Sequence, residues 1–545
     1  MKKLLFFSIF LSYSIVYSQW GGGTVEDFES WPLSGYNGTD TWWSTTDSGI
    51  TVSEENSIVY SGNSSAKVDV TTASQSSTDW RKTISYLEGG NAYIISFKIY
   101  HTEGYVKARI WDGQNWRNYS DNSITGSWQE LSYSFTPTIS GDYHIGLRFY
   151  DQSGANLPEI VYVDDFIVEH SAKIYSSNTT ITDDKVFNDV VVNSGTTLTI
   201  AKNGSLTINS TLTNNGTIEV ESDSDEYGSI IYKGPDSNIT ITYKRFVSDE
   251  GTNEWDLIGS PVYGQSISSF VSSNSDLADN NNQYAIGVFS NDGSTDSAAA
   301  MYTNYTSDGA GSTTSVNDAG NFISGVGYTM ATDEADSPGT TLNFTGTIYY
   351  SEKTVSIDDQ TSTLNNYGKF NLVANPYPSY IALNDGASSA SLATENFIRK
   401  NSIDNNYLHD TYSSIYGYDG DGSFTPYNNT GTYYIAPGQA FFVASDDPGG
   451  TTIKFTEEMQ TNIGTDDFIS GDNIEHTEVV IKLFNEEHEI ESTKIYFGEG
   501  LNLGLDRGYD AGNFHAEAPL MTRLLEEDEG YGMAINAMGL DAMEN

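Results

Sequence analysis

No cysteine occurs among the 545 residues, so a disulfide framework, a Cys-ligated zinc and a thiol nucleophile are all excluded. Basic residues are scarce. The chain carries 25 Lys and Arg against 74 Asp and Glu, a formal net charge of −49. Such a surface repels nucleic acid and anionic membranes, because binding to either needs cations that replace counterions. It keeps the chain soluble and suits high salt or abundant divalent cations, which screen self-repulsion. Beyond the first residues no stretch is apolar enough to insert into a membrane. Long runs of helical period are nearly missing, and one short helix is expected around Ala516–Glu527. Catalytic signatures are missing as well. There is no His-Glu-x-x-His, no Gly-x-Ser-x-Gly elbow and no phosphate-binding Gly-Lys-Ser/Thr loop, and the seven His are scattered. Carboxylate pairs for glycoside hydrolysis abound, but nothing singles one out. The chain is therefore expected not to be an enzyme.

What is present is β-forming sequence cut by turns. Short alternating runs bounded by Asn-Gly, Asp-Gly and Ser-Gly recur throughout, the pattern of sandwiches, barrels or solenoids. The chain opens with Lys2-Lys3, an apolar run from Leu4 to Val16 and compact residues at Val16-Tyr17-Ser18. These make a secretory signal peptide over residues 1–18 and an extracellular destination. Residues 22–170 read as one sandwich, with a first strand at Glu26–Ser30 and a last at Val161–Val168. Residues 171–245 hold short strands at near-regular spacing (Val190–Val192, Leu198–Ile200, Leu206–Ile208, Ile218–Val220), divided by Ser194-Gly195, Asn203-Gly204 and Asn215-Gly216. This is a β-solenoid spacer. Then comes a duplication. Trp255–Pro261 matches Phe370–Pro376, Gly325–Ala331 matches Ala436–Ala444 in pattern, and Pro338–Thr345 matches Gly449–Thr456. Two β-rich units are expected, over 246–350 and 351–460, packed as a tandem pair. Residues 461–545 form part of a further β-sandwich, read as incomplete.

The sharpest local signal is a hairpin. Asp112-Gly113 lies between two alternating runs, which marks a two-residue turn. That turn would set Trp111 opposite Gln114, Arg109 opposite Trp116 and Lys107 opposite Asn118, with all six on one face. Val106, Ala108 and Ile110 then face the core. Two indoles among Arg, Lys, Gln and Asn suit a sugar, whose C–H faces stack on rings while its hydroxyls need fixed donors and acceptors. The other reading of the same face is packing against a neighbouring domain. The binding reading names Trp111, Trp116, Arg109, Lys107, Gln114 and Asn118 as the glycan site, with Arg109 and Lys107 favouring an anionic polysaccharide. Trp42-Trp43 and Trp80-Arg81 are weaker candidates, and Trp128 reads as structural. Asp27, Glu29, Asp164 and Asp165 sit on the first and last strands, which a sandwich brings together. An oxygen-rich group of this kind suits a structural Ca2+. Asp419-Gly420-Asp421-Gly422 is an acidic turn without the later glutamate of a helix-flanked calcium loop.

The first domain resembles jelly-roll carbohydrate-binding modules of the family 4/9/22 type and, more broadly, galactose-binding-like sandwiches. The resemblance rests on Asp27-Phe28-Glu29, on Val59–Val68 as a second strand, on Ser127–Leu131 through Phe135-Thr136, and on Val163-Asp164-Asp165. It implies glycan binding and a structural calcium near the strand ends, which by position would fall to Glu29 and Asp164. The remainder is similar to large secreted or surface proteins of gliding Bacteroidetes, through Leu372–Ser379, Ala436–Val443 and Asp506–Ala511. That likeness implies type IX or Sec export, although the C-terminal sorting domain usual in the group is missing. The combined expectation is an exported, non-catalytic carbohydrate-binding or adhesive protein that holds extracellular polysaccharide. Its rivals are a polysaccharide-degrading enzyme with an attached binding module, and a structural adhesin with no sugar site.

Overall fold

The computed structural model describes residues 23–544 except for 32, 34–48, 73–77, 88, 118–123, 152–156, 236–237, 253–254, 293–300, 311–312, 349, 363–366, 388–394, 419–423, 463, 465–476, 487 and 516–517. The signal peptide expected at 1–18, Trp42-Trp43, Asn118 and the acidic turn at 419–422 thus lie outside the described residues. The chain divides into two compact units, Met1–Lys173 and Ile174–Asn545.

The described residues of the first unit form a jelly-roll sandwich of ten strands: β1 (Gly23–Glu26), β2 (Ile50–Glu55), β3 (Ser65–Val70), β4 (Asp79–Leu87), β5 (Tyr93–His101), β6 (Val106–Trp111), β7 (Trp116–Arg117), β8 (Trp128–Phe135), β9 (Gly141–Asp151) and β10 (Glu159–His170). One sheet runs β2-β3-β10-β5-β8, with β1 also on β10, and the other runs β4-β9-β6-β7. Alternation assigns the faces. Val68, Ile95, Phe97 and Val163 from the first sheet join Trp80, Val106, Ala108, Ile110, Leu147 and Phe149 from the second in one core. β1 stops at Glu26, short of the expected Glu26–Ser30, because Phe28 turns to φ 57°. That turn puts its fully buried ring 5.7 Å from Trp80. The expected strand at Val59–Val68 begins only at Ser65, because residues 60–64 form a loop tied down by carboxylates.

The second unit begins with β11 (Lys173–Tyr175), β12 (Thr179–Ile181), β13 (Asp184–Val192), β14 (Thr197–Ile200), β15 (Ser205–Asn214), β16 (Thr217–Val220), β17 (Ser229–Tyr232) and β18 (Thr240–Ser248). Parallel ladders β13-β15-β17 and β12-β14-β16-β18 stack these into a β-solenoid. The boundary drawn at 245/246 falls inside β18. That strand closes the solenoid through β16 and pairs along its whole length with Gly339–Thr347. Solenoid residues such as Val192 and Ile208 therefore share one core with Ile258, Phe270 and Phe344. All four segments expected as separate domains after residue 170 fall in this one compact unit.

The duplication is visible as topology. Asp256–Ile258 pairs Tyr328–Met330 as Phe370–Ala374 pairs Ala440–Ala444, and β18 pairs Gly339–Thr347 as Lys353–Ile357 pairs Thr451–Phe455. The copies meet at equivalent positions. Gly259 N–H donates to Gly438 at 2.7 Å, and a Cβ on Gly259 would lie 2.3 Å from that of Ala374, its counterpart.

The helix expected at Ala516–Glu527 is corrected: its described residues, 518–527, are not helical. Pro519 removes a donor there, Glu527 sits at φ 55°, and Thr522 bridges to Met533, so the segment lies as a loop along the strand Met533–Gly539. An α-helix forms instead at Ile267–Ser273, where the Ser266 side chain caps Ser269 N–H. Among the described residues no helix is long and apolar enough to cross a membrane.

Candidate functional site

The open face of sheet β4-β9-β6-β7 collects most of the residues singled out from the sequence. Entry to β6 is fixed by Glu159, whose buried carboxylate accepts N–H bonds from Gly104 and Val106, each at 2.7 Å. Exit is fixed by Asp112. Its Oδ1 accepts from Gln114 N at 2.7 Å and Asn115 N at 2.6 Å, and its Oδ2 from Arg117 Nε at 2.9 Å.

This changes the expected register. Asp112 is the residue before the turn rather than within it, because its own N–H pairs with Asn115 O. Gly113, at φ 90°, and Gln114 occupy the turn, as a Gly-first hairpin prefers. Trp111 therefore faces Trp116 and Ile110 faces Arg117, not Trp111 with Gln114 or Arg109 with Trp116. The pairing moves by a whole two-residue period, so each side chain keeps its face. Val106, Ala108 and Ile110 are fully buried in the core, while Lys107, Arg109 and Trp111 are half-buried on the other side. Gln114 leaves the group: its amide bonds Thr138 at 3.0 Å and Tyr143 at 3.3 Å.

Register across the sheet builds the rest. Arg81, Gly146, Trp111 and Trp116 form one lateral row, and Asp79, Arg148 and Arg109 form the next. Because Gly146 contributes no side chain, Arg81 reaches over it. Its guanidinium carbon lies 5.0 Å from the Trp111 ring centre and 5.2 Å from that of Trp116. Arg148 stands 3.9 Å over Trp116 and Arg109 5.2 Å over it. The indoles themselves touch at 4.8 Å, inclined by 46°. Asp79, only 7% exposed, ion-pairs with both Arg81 and Arg148. The tryptophans, expected exposed, are half-buried beneath guanidinium groups. Flat cations on ring faces are the favourable geometry of cation–π contact. Asp79, Arg148 and Gly146 carry no local sequence signal that points to this face. Only the pairing of β9 between β4 and β6 brings them here.

Glu29 and Asp164 converge on the loop Tyr60–Ser64. Glu29 accepts from Asn63 N at 2.8 Å and Ser64 N at 3.0 Å, and these main-chain bonds hold its pKa below the ordinary carboxylate value. Asp164 accepts from Tyr60 N at 2.9 Å, Ser61 N at 3.2 Å and Asp165 N at 2.9 Å. Burial nevertheless pushes its pKa up to about 6. Asp165 bonds the Ser61 hydroxyl at 2.9 Å and sits at φ 43°. As a donor set these are hard oxygens suited to Ca2+. Among the described residues no group of three or more His, Asp or Glu gathers around a common point, so carbonyl oxygens would have to complete the shell. Trp128 starts β8 and packs edge-on against Tyr60 and Tyr100 at 5.8 and 5.7 Å.

Comparison with known proteins assigns both parts of the chain. The family described as "Carbohydrate binding domain" (CBM_4_9) matches residues 24–156, and these residues form a carbohydrate-binding module. The family described as "Domain of unknown function (DUF8693)" matches residues 155–540. No curated protein sequence matches the chain. Similar solved structures include the CBM22-1 xylan-binding domain of Paenibacillus barcinonensis Xyn10C, at 12% identity and TM-score 0.17 over 23% of this chain and 82% of that one. Another, titled "CBM4 structure and function", shares 20% identity at TM-score 0.17 over 24% and 84%. A third is the CBM22-1–GH10 portion of Clostridium thermocellum Xyn10B with xylohexaose, at 15% identity and TM-score 0.18 over 26% and 34%.

Proposed function

The chain belongs to the DUF8693 family through residues 155–540, and from that premise we propose that it is a non-catalytic, exported carbohydrate-binding or adhesive protein. On this reading its N-terminal module holds extracellular polysaccharide on the open face of sheet β4-β9-β6-β7. The observation that carries the reading is the indole pair Trp111 and Trp116, turned away from the core and set among polar groups of three neighbouring strands. Rings of this kind offer apolar surface to sugar C–H groups, while the half-buried Arg109 and Lys107 lie beside them as polar groups suited to hydroxyls.

Export through the type IX or Sec route belongs to the same proposal and is supported by the charge and apolar pattern of residues 1–18. So does a structural Ca2+ held in part by Glu29 and Asp164, supported by their convergence on one loop.

Glycan-array binding by the full chain tests the central claim. The wild type is expected to bind at least one polysaccharide, and the double variant Trp111→Ala/Trp116→Ala is expected to lose about 100-fold or more in affinity, two large aromatic contacts being removed. A folded wild type that binds no glycan would favour the structural adhesin. Hydrolysis of a polysaccharide panel by the purified chain would favour the enzyme.

A further inference from the structure

We propose that the strand Thr477–Asn485 in the second unit is a contact between two copies of this chain, each pairing antiparallel with the same strand of the other. This strand is the edge of a four-stranded sheet. It pairs with His488–Gly498 on one side, and among the described residues no strand pairs with its other side. It runs nine residues, whereas the opposite edge of the sheet is the two-residue strand Ala511–Gly512. Native sheets blunt a free edge by brevity, proline or charge. Here Val479-Val480-Ile481-Lys482-Leu483-Phe484 is long, free of proline and carries one charge. Val479, Val480, Ile481 and Phe484, with Ile490 on the neighbouring strand, are 39–53% exposed. Successive side chains point to opposite faces, so apolar surface is open on both faces of the strand. A strand that lays one face on a core hides half of its side chains, and an acidic, water-seeking chain has no other use for such surface.

The order of residues selects a second copy as the occupant. Outward-facing amides alternate along an edge, so two copies related by a two-fold axis pair residues of equal parity and the axis passes through one residue position. With Val480 on that axis, Glu478 lies opposite Lys482 of the second copy, and Lys482 opposite its Glu478. On the other face Val479 meets Ile481 and Thr477 meets Leu483. Moving the axis to Val479 or Ile481 sets Glu478 or Lys482 opposite Val480 and forfeits both ion pairs. Opposite charges and paired aliphatic side chains directly across a ladder are each favourable. Both charges are available. Glu478 forms no ion pair among the described residues, and Lys482, which bonds Glu489 at 2.7 Å, keeps two further ammonium protons. The pairing is closed, because each copy spends the long edge of this sheet on the other, so a dimer forms rather than a fibre. The dimer presents two carbohydrate-binding modules, which favours a repeating polymer through avidity.

Sedimentation velocity of the full chain tests the proposal, in about 0.15 M salt to screen long-range repulsion between two copies. A contact of this size is expected to hold a dimer at about 100 μM that dissociates on dilution to about 1 μM. Val480→Lys puts two ammonium groups face to face on the axis and is expected to weaken the dimer about tenfold or more, with thermal unfolding unchanged. Register is tested by cross-linking, which the absence of native cysteine makes clean. In Val480→Cys the two thiols face each other with Cα atoms about 4.5–5.5 Å apart, within disulfide reach. In Ile481→Cys each thiol faces Val479 instead. Mild oxidation followed by non-reducing electrophoresis is expected to give a covalent dimer rapidly for Val480→Cys and slowly for Ile481→Cys. A chain that stays monomeric at every concentration overturns the proposal and leaves the edge to a strand of a different polypeptide. A dimer that ignores Val480→Lys, or that cross-links equally fast through either cysteine, overturns it as well by placing the contact elsewhere.

Discussion

Arg148 sets its guanidinium carbon 3.9 Å from the centre of the Trp116 ring while its nitrogens reach Asp79 on the neighbouring strand. The carboxylate thereby governs the ring: Asp79 also pairs with Arg81, which lies over both indoles. Asp79 is 7% exposed, so its removal leaves two poorly solvated guanidinium groups without their shared anion. Asp79→Ala is expected to destabilise the first unit by about 2–4 kcal/mol. Urea unfolding of the full chain followed by tryptophan fluorescence measures it. An unchanged midpoint would show that the cluster contributes nothing net.

Much of this face is legible in the amino-acid sequence alone. Alternation in Val106–Trp111 separates core from surface without knowledge of the partner strand, and that separation survives a misplaced turn because the register moves by a full period. The turn itself is ambiguous at Asp-Gly, since Asp112 uses its side chain to cap the turn from outside it. Asp79, Arg148 and Gly146 are not legible in this way. They arrive from strands distant along the chain from the hairpin, through pairings no local pattern encodes. The duplicated units are readable as repeated motifs. Their merger with the solenoid is not, since β18 has the same apolar alternation whichever neighbours it takes.

Chelation bears on Glu29 and Asp164. With Asp164 buried and its pKa pushed up to about 6 by desolvation, a bound cation would stabilise the ionised carboxylate. If Ca2+ sits there, adding a chelator to the full chain is expected to lower the unfolding temperature of the first unit by several degrees, a linkage effect of about 2–4 kcal/mol at saturating calcium. Glu29→Gln should abolish the response to calcium. A melting curve identical with calcium and with chelator would leave the two carboxylates as anchors of the Tyr60–Ser64 loop and nothing more.

His409 makes a prediction in the second unit. It is 8% exposed and packed edge-on against Tyr412 and Tyr531 at 5.0 and 5.9 Å. Burial lowers its pKa to about 4 from 6.5. The unfolded chain therefore binds a proton between pH 4 and 6.5 that the folded chain refuses. Stability from this group is complete above about pH 6.5 and is lost as pH falls toward about 4, by up to about 3 kcal/mol. Asp510 works the other way. Burial raises its pKa to about 7, so it contributes stability as pH falls below that value. The informative quantity is consequently the difference between wild type and His409→Asn, whose Oδ1 can still accept the Thr411 N–H that His409 Nδ1 accepts at 3.1 Å. The variant's denaturant midpoint, taken relative to wild type, should be higher at about pH 4.5 than at about pH 7.5. Parallel profiles would mean that His409 titrates normally.

The two family matches meet at residues 155–156, and that junction is not where the first unit ends. β10 follows it, at Glu159–His170, and lies between β3 and β5 while also pairing β1. Val161, Val163, Phe166 and Val168 on this strand are buried, and Phe166 stacks on Phe97 at 4.2 Å. Burying four such side chains is worth roughly 6–10 kcal/mol, which is comparable to the whole stability of a domain this size. Its loss would also leave facing edges of β3 and β5 without partners. A fragment of residues 22–156 is therefore expected to be unfolded or aggregated, and one of residues 22–173 to unfold cooperatively. Circular dichroism melts of the two fragments decide the point, since a cooperative transition in the shorter one would mean that the sandwich closes without its central strand.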